Sequence, residues 1–163
     1  MKQYKLINNL TGWVVFLIAT TVYCLTIEPT ASFWDCGEWI SVAYGLQVGH
    51  PPGAPLYILL AKIFSLFSFG NVSEVAYCVN FLSAVASGLT VMFLFWTATY
   101  FIKLLFSKLG KKIYHEDFVV QLSAAVGALV YTFSHTFWSS AVEAEVYALS
   151  SLFSAIIVWA ATK

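Results

Sequence analysis

Apolar residues along this chain form four long runs that are separated by shorter polar segments. The runs cover about residues 10–27, 76–105, 118–137 and 146–161. Their lengths are near or above the roughly 20 residues that a helix needs to cross the hydrocarbon core of a bilayer. The pattern predicts an all-α integral membrane protein with four transmembrane helices, and no repeat or linker divides residues 1–163 into domains.

A long polar-rich loop, residues 28–75, follows the first predicted span. Within it, residues 55–69 are apolar, but a helix of this length rises only ~22 Å, which is short of the ~30 Å core. Its leucines and phenylalanines recur on one helical face and its polar residues on the other, as in a helix that lies on the membrane surface. A second short interfacial helix is predicted for residues 33–47, ending before Gly49.

The basic residues indicate how these spans are oriented. All eight are lysines, and six of them lie in two segments, at Lys2 and Lys5 and between Lys103 and Lys112. Cytoplasmic segments carry the excess of lysine in membrane proteins, so both termini are predicted inside and the loop of residues 28–75 outside. The chain is 60% hydrophobic with mean hydropathy +0.81 and no net charge, which gives no reason to expect a nucleic-acid partner.

Residues that could take part in catalysis or binding are concentrated in the outer loop. Asp35 and Glu38 are three positions apart and would share a helix face, and His50 follows directly before Pro51. One interpretation is structural: Asp35 caps the helix, and His50 is an ordinary interfacial residue before a stiff turn. The other is a site that meets water or a polar substrate, because only 10% of the residues are charged.

Two more carboxylates, Glu143 and Glu145, lie between the third and fourth spans, on the same predicted side as Asp35. They can belong to the solvated start of the fourth helix, where acids favour the positive end of the helix dipole, or to the same site. The three cysteines are widely spaced without a CxxC motif, which predicts free thiols of apolar character.

Three segments carry a resemblance to a known family. Residues Pro29–Glu38, Leu46–Leu56 and Glu143–Leu149 resemble motifs of the protein O-mannosyltransferase-like family of GT-C membrane glycosyltransferases, which is common in Bacteroidota and present in animals. The order of spans, outer loop and short helices is similar to the N-terminal part of a GT-C fold. Since GT-C enzymes have many more spans, the chain is expected to be an N-terminal portion of such an enzyme.

The resemblance implies transfer of a sugar from a polyprenyl-phosphate donor to Ser or Thr hydroxyls of an acceptor protein. The expected sugar is mannose. The reaction would take place on the extracytoplasmic side with inversion at the anomeric carbon. Asp35 matches the essential acid of the first outer loop and would act as the base. The expected location is the bacterial inner membrane, with a cytoplasmic N-terminus, a periplasmic active loop and membrane lipid around the spans.

The resemblance also suggests roles for the other polar residues. Glu38 would orient the acceptor or tune Asp35 by its charge. His50 would donate to the departing lipid phosphate, and Lys62 would neutralise that phosphate. Glu143 and Glu145 would hold a divalent cation, which only some GT-C members require.

Two other functions compete with this interpretation. A transporter or channel subunit would place ionisable residues at mid-membrane depth, whereas the acids here lie at the ends of spans. A non-catalytic assembly partner would use small residues for helix packing, such as Ser83, Ala84, Ser87 and Gly88 in the second span.

Overall fold

The computed structural model describes residues 2–51, 53–110 and 115–163, and within these ranges every regular element is helical. The elements are α1 (Lys2–Leu25), α2 (Cys36–Gly45), α3 (Pro55–Ser65), α4 (Val75–Leu109), α5 (Glu116–Thr132), α6 (His135–Val142) and α7 (Val146–Ala161), with 3₁₀ turns at Leu66–Ser68 and Val72–Glu74. The prediction of an all-α protein is confirmed. Pro52, Lys111 and Lys112, which entered the sequence predictions, lie outside the described residues.

Two helices are long and apolar enough to cross a membrane. They are α1 and α4, and a third crossing is added if α5 and α6, which meet at 67°, form one broken span. The last helix, α7, is apolar but has only 16 residues. Among the described residues, length and composition therefore support two or three spans, and they do not confirm the four that were predicted.

The predicted third span, residues 118–137, is bent rather than one straight helix. The helix ends at Thr132, Ser134 is extended, and α6 starts at His135 in a new direction. The carbonyl of Thr132 accepts a hydrogen bond from the Tyr23 hydroxyl at 3.0 Å. Because a polar partner from α1 satisfies this carbonyl, the helix can end inside the protein without an unpaired acceptor.

Helix α4 is the centre of the fold, with apolar neighbours on two sides. One cluster packs α2, α3 and α7 against it and includes Trp39, Ile58, Val79 and Leu149. The other packs α1, α5 and α6 and includes Val15, Phe95, Ala124 and Phe137. Because α4 is apolar on all sides, it is buried by its neighbours along most of its length.

Helix α3 presents two different faces. Leu56, Leu59 and Ile63 are about half exposed, which leaves an apolar face free for lipid, as predicted for an interfacial helix. The opposite face is buried rather than solvated, because Tyr57 and Ser65 pack into the protein. The sequence pattern located the two faces correctly but not the surroundings of the polar one.

The small residues of α4 allow close contact with α1. A Cβ atom at Gly88 would overlap the Thr20 hydroxyl and lie 3.3 Å from the Phe16 ring. By contrast, a Cβ at Gly127 on α5 would meet no atom within 4 Å. The first glycine is therefore needed for packing, and the second is not.

We expect Gly88→Ala to destabilise the protein by ~1–3 kcal/mol, because a methyl group forced into a filled contact separates α1 from α4. Gly127→Ala is the matched control, and it should be neutral or stabilising by up to ~1 kcal/mol because alanine favours the helix. Thermal unfolding of both variants in one detergent measures the difference. Equal stability of the two variants would contradict the packing role of Gly88.

Candidate active site

Asp35 lies immediately before α2 and is free for chemistry. It occupies the N-cap position, yet its side chain makes no capping hydrogen bond, and 58% of that side chain is exposed. The structural interpretation of Asp35 as a helix cap is therefore wrong. The carboxylate instead faces His50, and the distance from Asp35 Oδ2 to His50 Nε2 is 3.8 Å.

Glu38, one turn into α2, holds His50 from two directions. Its Oε1 accepts the backbone N–H of His50 at 2.7 Å, and its Oε2 lies 3.1 Å from Nδ1 of the ring. These hydrogen bonds lower the pKa of the Glu38 carboxyl, and the bond from the His50 backbone has the larger effect. Because Nδ1 is engaged by Glu38, the other ring nitrogen is directed towards Asp35.

The loop after α2 brings His50 back to the start of the helix. The His50 carbonyl accepts the N–H of Gly53 at 2.8 Å, which closes a tight turn, and Gly53 has a φ of +84°. A Cβ at Gly49 would lie 2.9 Å from the Trp39 ring. Glycine at position 49 therefore permits the close approach that lets His50 reach Glu38 and places its ring centre 4.9 Å from that of Trp39.

A second polar cluster adjoins the first and joins the two ends of the sequence. The Ser32 hydroxyl donates to Glu143 Oε2 at 2.7 Å. The buried Cys36 thiol lies 3.6 Å from the same oxygen and 3.4 Å from Glu145 Oε1. Cys36 follows Asp35 in the chain, so Glu143 and Glu145, which lie between α6 and α7, are next to the first cluster of carboxylates.

The charges in this region influence one another. Burial, followed by the negative charges of Asp35 and Glu143, raises the pKa of Glu145. Burial also raises the pKa of the Cys36 thiol to about 12, and the neighbouring Glu145 and Glu143 add to that shift. Cys36 is therefore a neutral hydrogen-bonding thiol and not a nucleophile.

Tyr57 of α3 contributes a buried hydroxyl to the same region. Its side chain is 3% exposed and its ring packs 5.7 Å from that of Trp39. The hydroxyl has no hydrogen-bond partner in the described part of the chain. Burial and the charge of Glu145 raise the pKa of this phenol, so it is a neutral donor beside a carboxylate.

Lys62 is the one predicted site residue that the structure places elsewhere. Its ammonium group donates to the Tyr44 carbonyl at 2.6 Å and lies 4.9 Å from the centre of the Tyr44 ring. Tyr44 is near the end of α2, about 13 Å from Asp35 at ~1.5 Å per residue. Lys62 therefore stabilises the carboxyl end of α2, where cations are favourable.

Two sets of side chains offer ligands for a divalent cation. Asp35, Glu38 and His50 each present a ligand atom, and these atoms lie within 4.8 Å of one another. Glu143 and Glu145, the predicted ligands, both approach Cys36. The carboxylates therefore fit a hard cation chemically, and the predicted role of Glu143 and Glu145 stays a prediction.

Sequence reasoning did not identify Ser32, Cys36 and Tyr57 as members of this region. Cys36 and Ser32 stand within the first of the three motif segments, but their contacts are with residues more than 100 positions away. Tyr57 belongs to the polar face that the sequence pattern predicts for residues 55–69. Only the position of Tyr57 opposite the apolar face of α3 could have suggested contact with protein.

We expect Glu145→Gln to stabilise the protein at neutral pH. Folding raises the pKa of the Glu145 carboxyl above its value of about 4.3 in the unfolded chain. Such a group stabilises the folded protein fully when the pH is below the unfolded pKa, and this stabilisation is lost as the pH rises through the folded pKa. The ionised group at pH 7 therefore opposes folding, and removal of its charge should raise the melting temperature by roughly 2 °C, since solvent screens a partly exposed group. Melting curves at pH 7 and pH 4 measure this, and a difference that persists at pH 4 would contradict it.

Residues 35–163 match the family described as Protein O-mannosyl-transferase TMEM260 N-terminal domain. This match covers most of the chain and begins at the candidate acid, Asp35. The chain belongs to this family. The predicted membership in a protein O-mannosyltransferase-like family is confirmed.

Two relatives of this TMEM260 family share most of the chain. A protein O-mannosyl-transferase from Mus musculus is 33% identical over 148 residues, which is 88% of this chain and 18% of the relative. One from Dictyostelium discoideum is 27% identical over 146 residues, which is 90% of this chain and 16% of the relative. The chain therefore spans less than a fifth of either relative, and no solved structure matches it significantly.

Proposed function

We propose that this chain forms the acid-bearing N-terminal part of a membrane mannosyltransferase that modifies Ser or Thr hydroxyls of proteins. The observation that carries the proposal is the convergence of Asp35, Glu38 and His50 with Glu143 and Glu145 at one end of the helical bundle. These side chains come from two distant segments. The relatives are named protein O-mannosyl-transferases, which supports the same reaction here.

The proposed donor is mannose on a polyprenyl phosphate, since the site lies beside helices that suit a membrane. The acceptor oxygen attacks the anomeric carbon and forms the new glycosidic bond. The bond from that carbon to the phosphate oxygen breaks, and polyprenyl phosphate leaves with the bonding electrons. Asp35 takes the proton of the acceptor hydroxyl, and the anomeric configuration inverts.

Glu38 and His50 assist this step in different ways. His50 donates from Nε2 to an oxygen of the departing phosphate. Glu38 is a positioning residue, because its contacts with the backbone and Nδ1 of His50 fix the direction of the ring. Lys62 has no part in this proposal, since its ammonium is bound at Tyr44.

A divalent cation would be held by Glu143 and Glu145. It would supply positive charge against the phosphate of the donor. Ser32 and Cys36 orient the two carboxylates through their hydrogen bonds.

We also propose four crossings of the membrane, with α1, α4, the broken pair α5 and α6, and α7 as the spans. The N-terminus would then be cytoplasmic and the site extracytoplasmic, in agreement with Lys5, Lys103 and Lys108 at the opposite end. A location in the bacterial inner membrane stays a prediction. The chain would contact lipid along the exposed apolar residues of its helices, including Leu10, Leu17 and Ile157.

The transporter alternative is less consistent with the same contacts. An ion path needs ionisable groups near the middle of the membrane. The acids Glu28, Asp35, Glu38, Glu143 and Glu145 all lie outside α1, α4, α5 and α7 in the described structure. An assembly partner without activity would leave unexplained why Asp35 makes no capping bond and faces His50.

The test is a transfer assay with membranes from cells that lack the endogenous gene and express the full-length protein. Radiolabelled mannose is supplied either on polyprenyl phosphate or as a nucleotide sugar, together with a Ser/Thr peptide. We expect transfer only from the polyprenyl donor, with a product of inverted configuration. Transfer from the nucleotide sugar alone, or transfer to neither hydroxyl, would refute the proposed reaction.

A further inference from the structure

A large cavity lies at the end of the bundle opposite Asp35. It has a volume of about 700 Å³, which is within the usual range for ligand sites. Its walls come from the start of α1, the end of α4, the start of α5 and the end of α7. The acids of the candidate active site lie instead where α1 ends and where α4 and α7 begin.

The charge of the described lining is positive. Lys5, Lys103 and Lys163 line the cavity together with a single acid, Asp117. That acid is already paired with Lys103 at 2.7 Å. Lys5 and Lys163 therefore contribute two positive charges that no lining acid balances, and an anionic ligand complements them.

The rest of the lining is aromatic and amide in character. Trp96 and Trp159 form part of the wall, with ring centres 5.9 Å apart. Lys163 lies 4.8 Å from the centre of the Trp159 ring. Indole rings and lysines together are typical of the level of lipid headgroups.

The helices on either side continue into lipid-facing surface. Leu10 on α1 is 57% exposed and Ile157 on α7 is 68% exposed. A ligand with a charged head and long apolar tails would match both the cavity and these flanks. A small soluble anion would match only the lysines.

We infer that this cavity binds the phosphate headgroup of an anionic phospholipid. Basic pockets between transmembrane helices commonly bind such headgroups. Lys5 and Lys163 would contact the phosphate, while Trp96 and Trp159 would pack against the glycerol and the first acyl carbons. The site is separate from the proposed sugar-transfer chemistry and does not depend on it.

Native mass spectrometry of the purified protein tests this inference. The protein is reconstituted in vesicles with equal amounts of phosphatidylglycerol and phosphatidylcholine of the same acyl chains. A lysine near an anionic lipid surface strengthens binding about fivefold. We expect one retained phosphatidylglycerol, bound roughly 25-fold more strongly than phosphatidylcholine, and loss of this preference in the double variant Lys5→Gln/Lys163→Gln.

Two controls make the result specific. Lys5→Arg/Lys163→Arg keeps the charge and should keep the preference. Lys108→Gln removes a lysine near the same end of α4 that does not line the cavity, and it should behave as the wild type. Lys5, Lys108 and Lys163 are all exposed, so none of the glutamine substitutions should affect folding.

Several outcomes would overturn the inference. Equal retention of the two lipids by the wild type would mean that the cavity takes another occupant, such as a further segment of the protein. An unchanged preference in Lys5→Gln/Lys163→Gln would place the lipid elsewhere. Displacement of phosphatidylglycerol by inorganic phosphate would identify a soluble anion as the ligand.

Discussion

Asp35→Asn should abolish sugar transfer while leaving the protein folded. Asparagine keeps the size of the side chain but cannot accept the proton of the acceptor hydroxyl. A general base typically contributes ~10²–10⁴-fold to a rate, so we expect a loss of at least 100-fold. Because the Asp35 side chain caps no helix, its replacement should change the melting temperature little.

The experiment compares initial rates of transfer in membranes that contain equal amounts of each full-length variant. Glu74→Gln is the matched control, since Glu74 is another exposed acid between the first two long helices. It should retain the wild-type rate. Full activity of Asp35→Asn would exclude a role for Asp35 as the base, and loss of activity together with loss of folding would mean that its role is structural.

Asn80→Leu should produce the second large effect, through the position of the segment that carries Asp35. Asn80 is 1% exposed, and its Nδ2 donates to the carbonyls of Glu28 and Thr30 at 2.6 and 3.1 Å. These hydrogen bonds attach the irregular segment between α1 and α2 to the central helix α4. Their loss should cost ~1–3 kcal/mol of stability.

The effect on activity should exceed the effect on stability. A displacement of ~1 Å at a reacting group can lower a rate about 100-fold, so we expect transfer to fall by between ~10-fold and ~100-fold. Hydrogen exchange of residues 29–35 should accelerate at the same time. This combination would separate a misplaced Asp35 from general unfolding.

Ser83→Ala is the control for the same helix. Ser83 is 1% exposed, and its hydroxyl lacks a hydrogen-bond partner in the described structure. Its removal should be neutral or slightly stabilising, with unchanged transfer. If Asn80→Leu and Ser83→Ala behaved alike, the bonds of Asn80 to the outer segment would have no functional importance.

Apolar runs in the sequence were sufficient to locate some of the helices but not all of their ends. Apolar runs near 20 residues located α1 and α4, because length and hydropathy are local properties of the chain. The same rule did not reveal the bend within residues 118–137. There the Tyr23 hydroxyl of α1 binds the Thr132 carbonyl, and no property of residues 118–137 alone indicates this partner.

In the candidate site, too, the sequence identified some features and the structure was needed for others. Asp35, Glu38 and His50 lie within 16 residues of one another, so motif and spacing were sufficient to select them. Their roles were not evident, since Glu38 contacts His50 through a turn that depends on Gly49 and Gly53. Lys62 was selected for its charge, but the nearby Tyr44 carbonyl holds it away from the acids.

The sequence by itself determined the helical class, the membrane character, the family and the acids of the outer loop. These features depend on composition, local periodicity and motifs within short segments. Tertiary structure alone decided that Glu143 and Glu145 meet Ser32 and Cys36 across more than 100 residues, and that the start of α1 and the ends of α4 and α7 enclose a basic cavity. The physical reason is that such contacts depend on how helices pack around α4, and packing joins positions whose separation in the chain carries no signal.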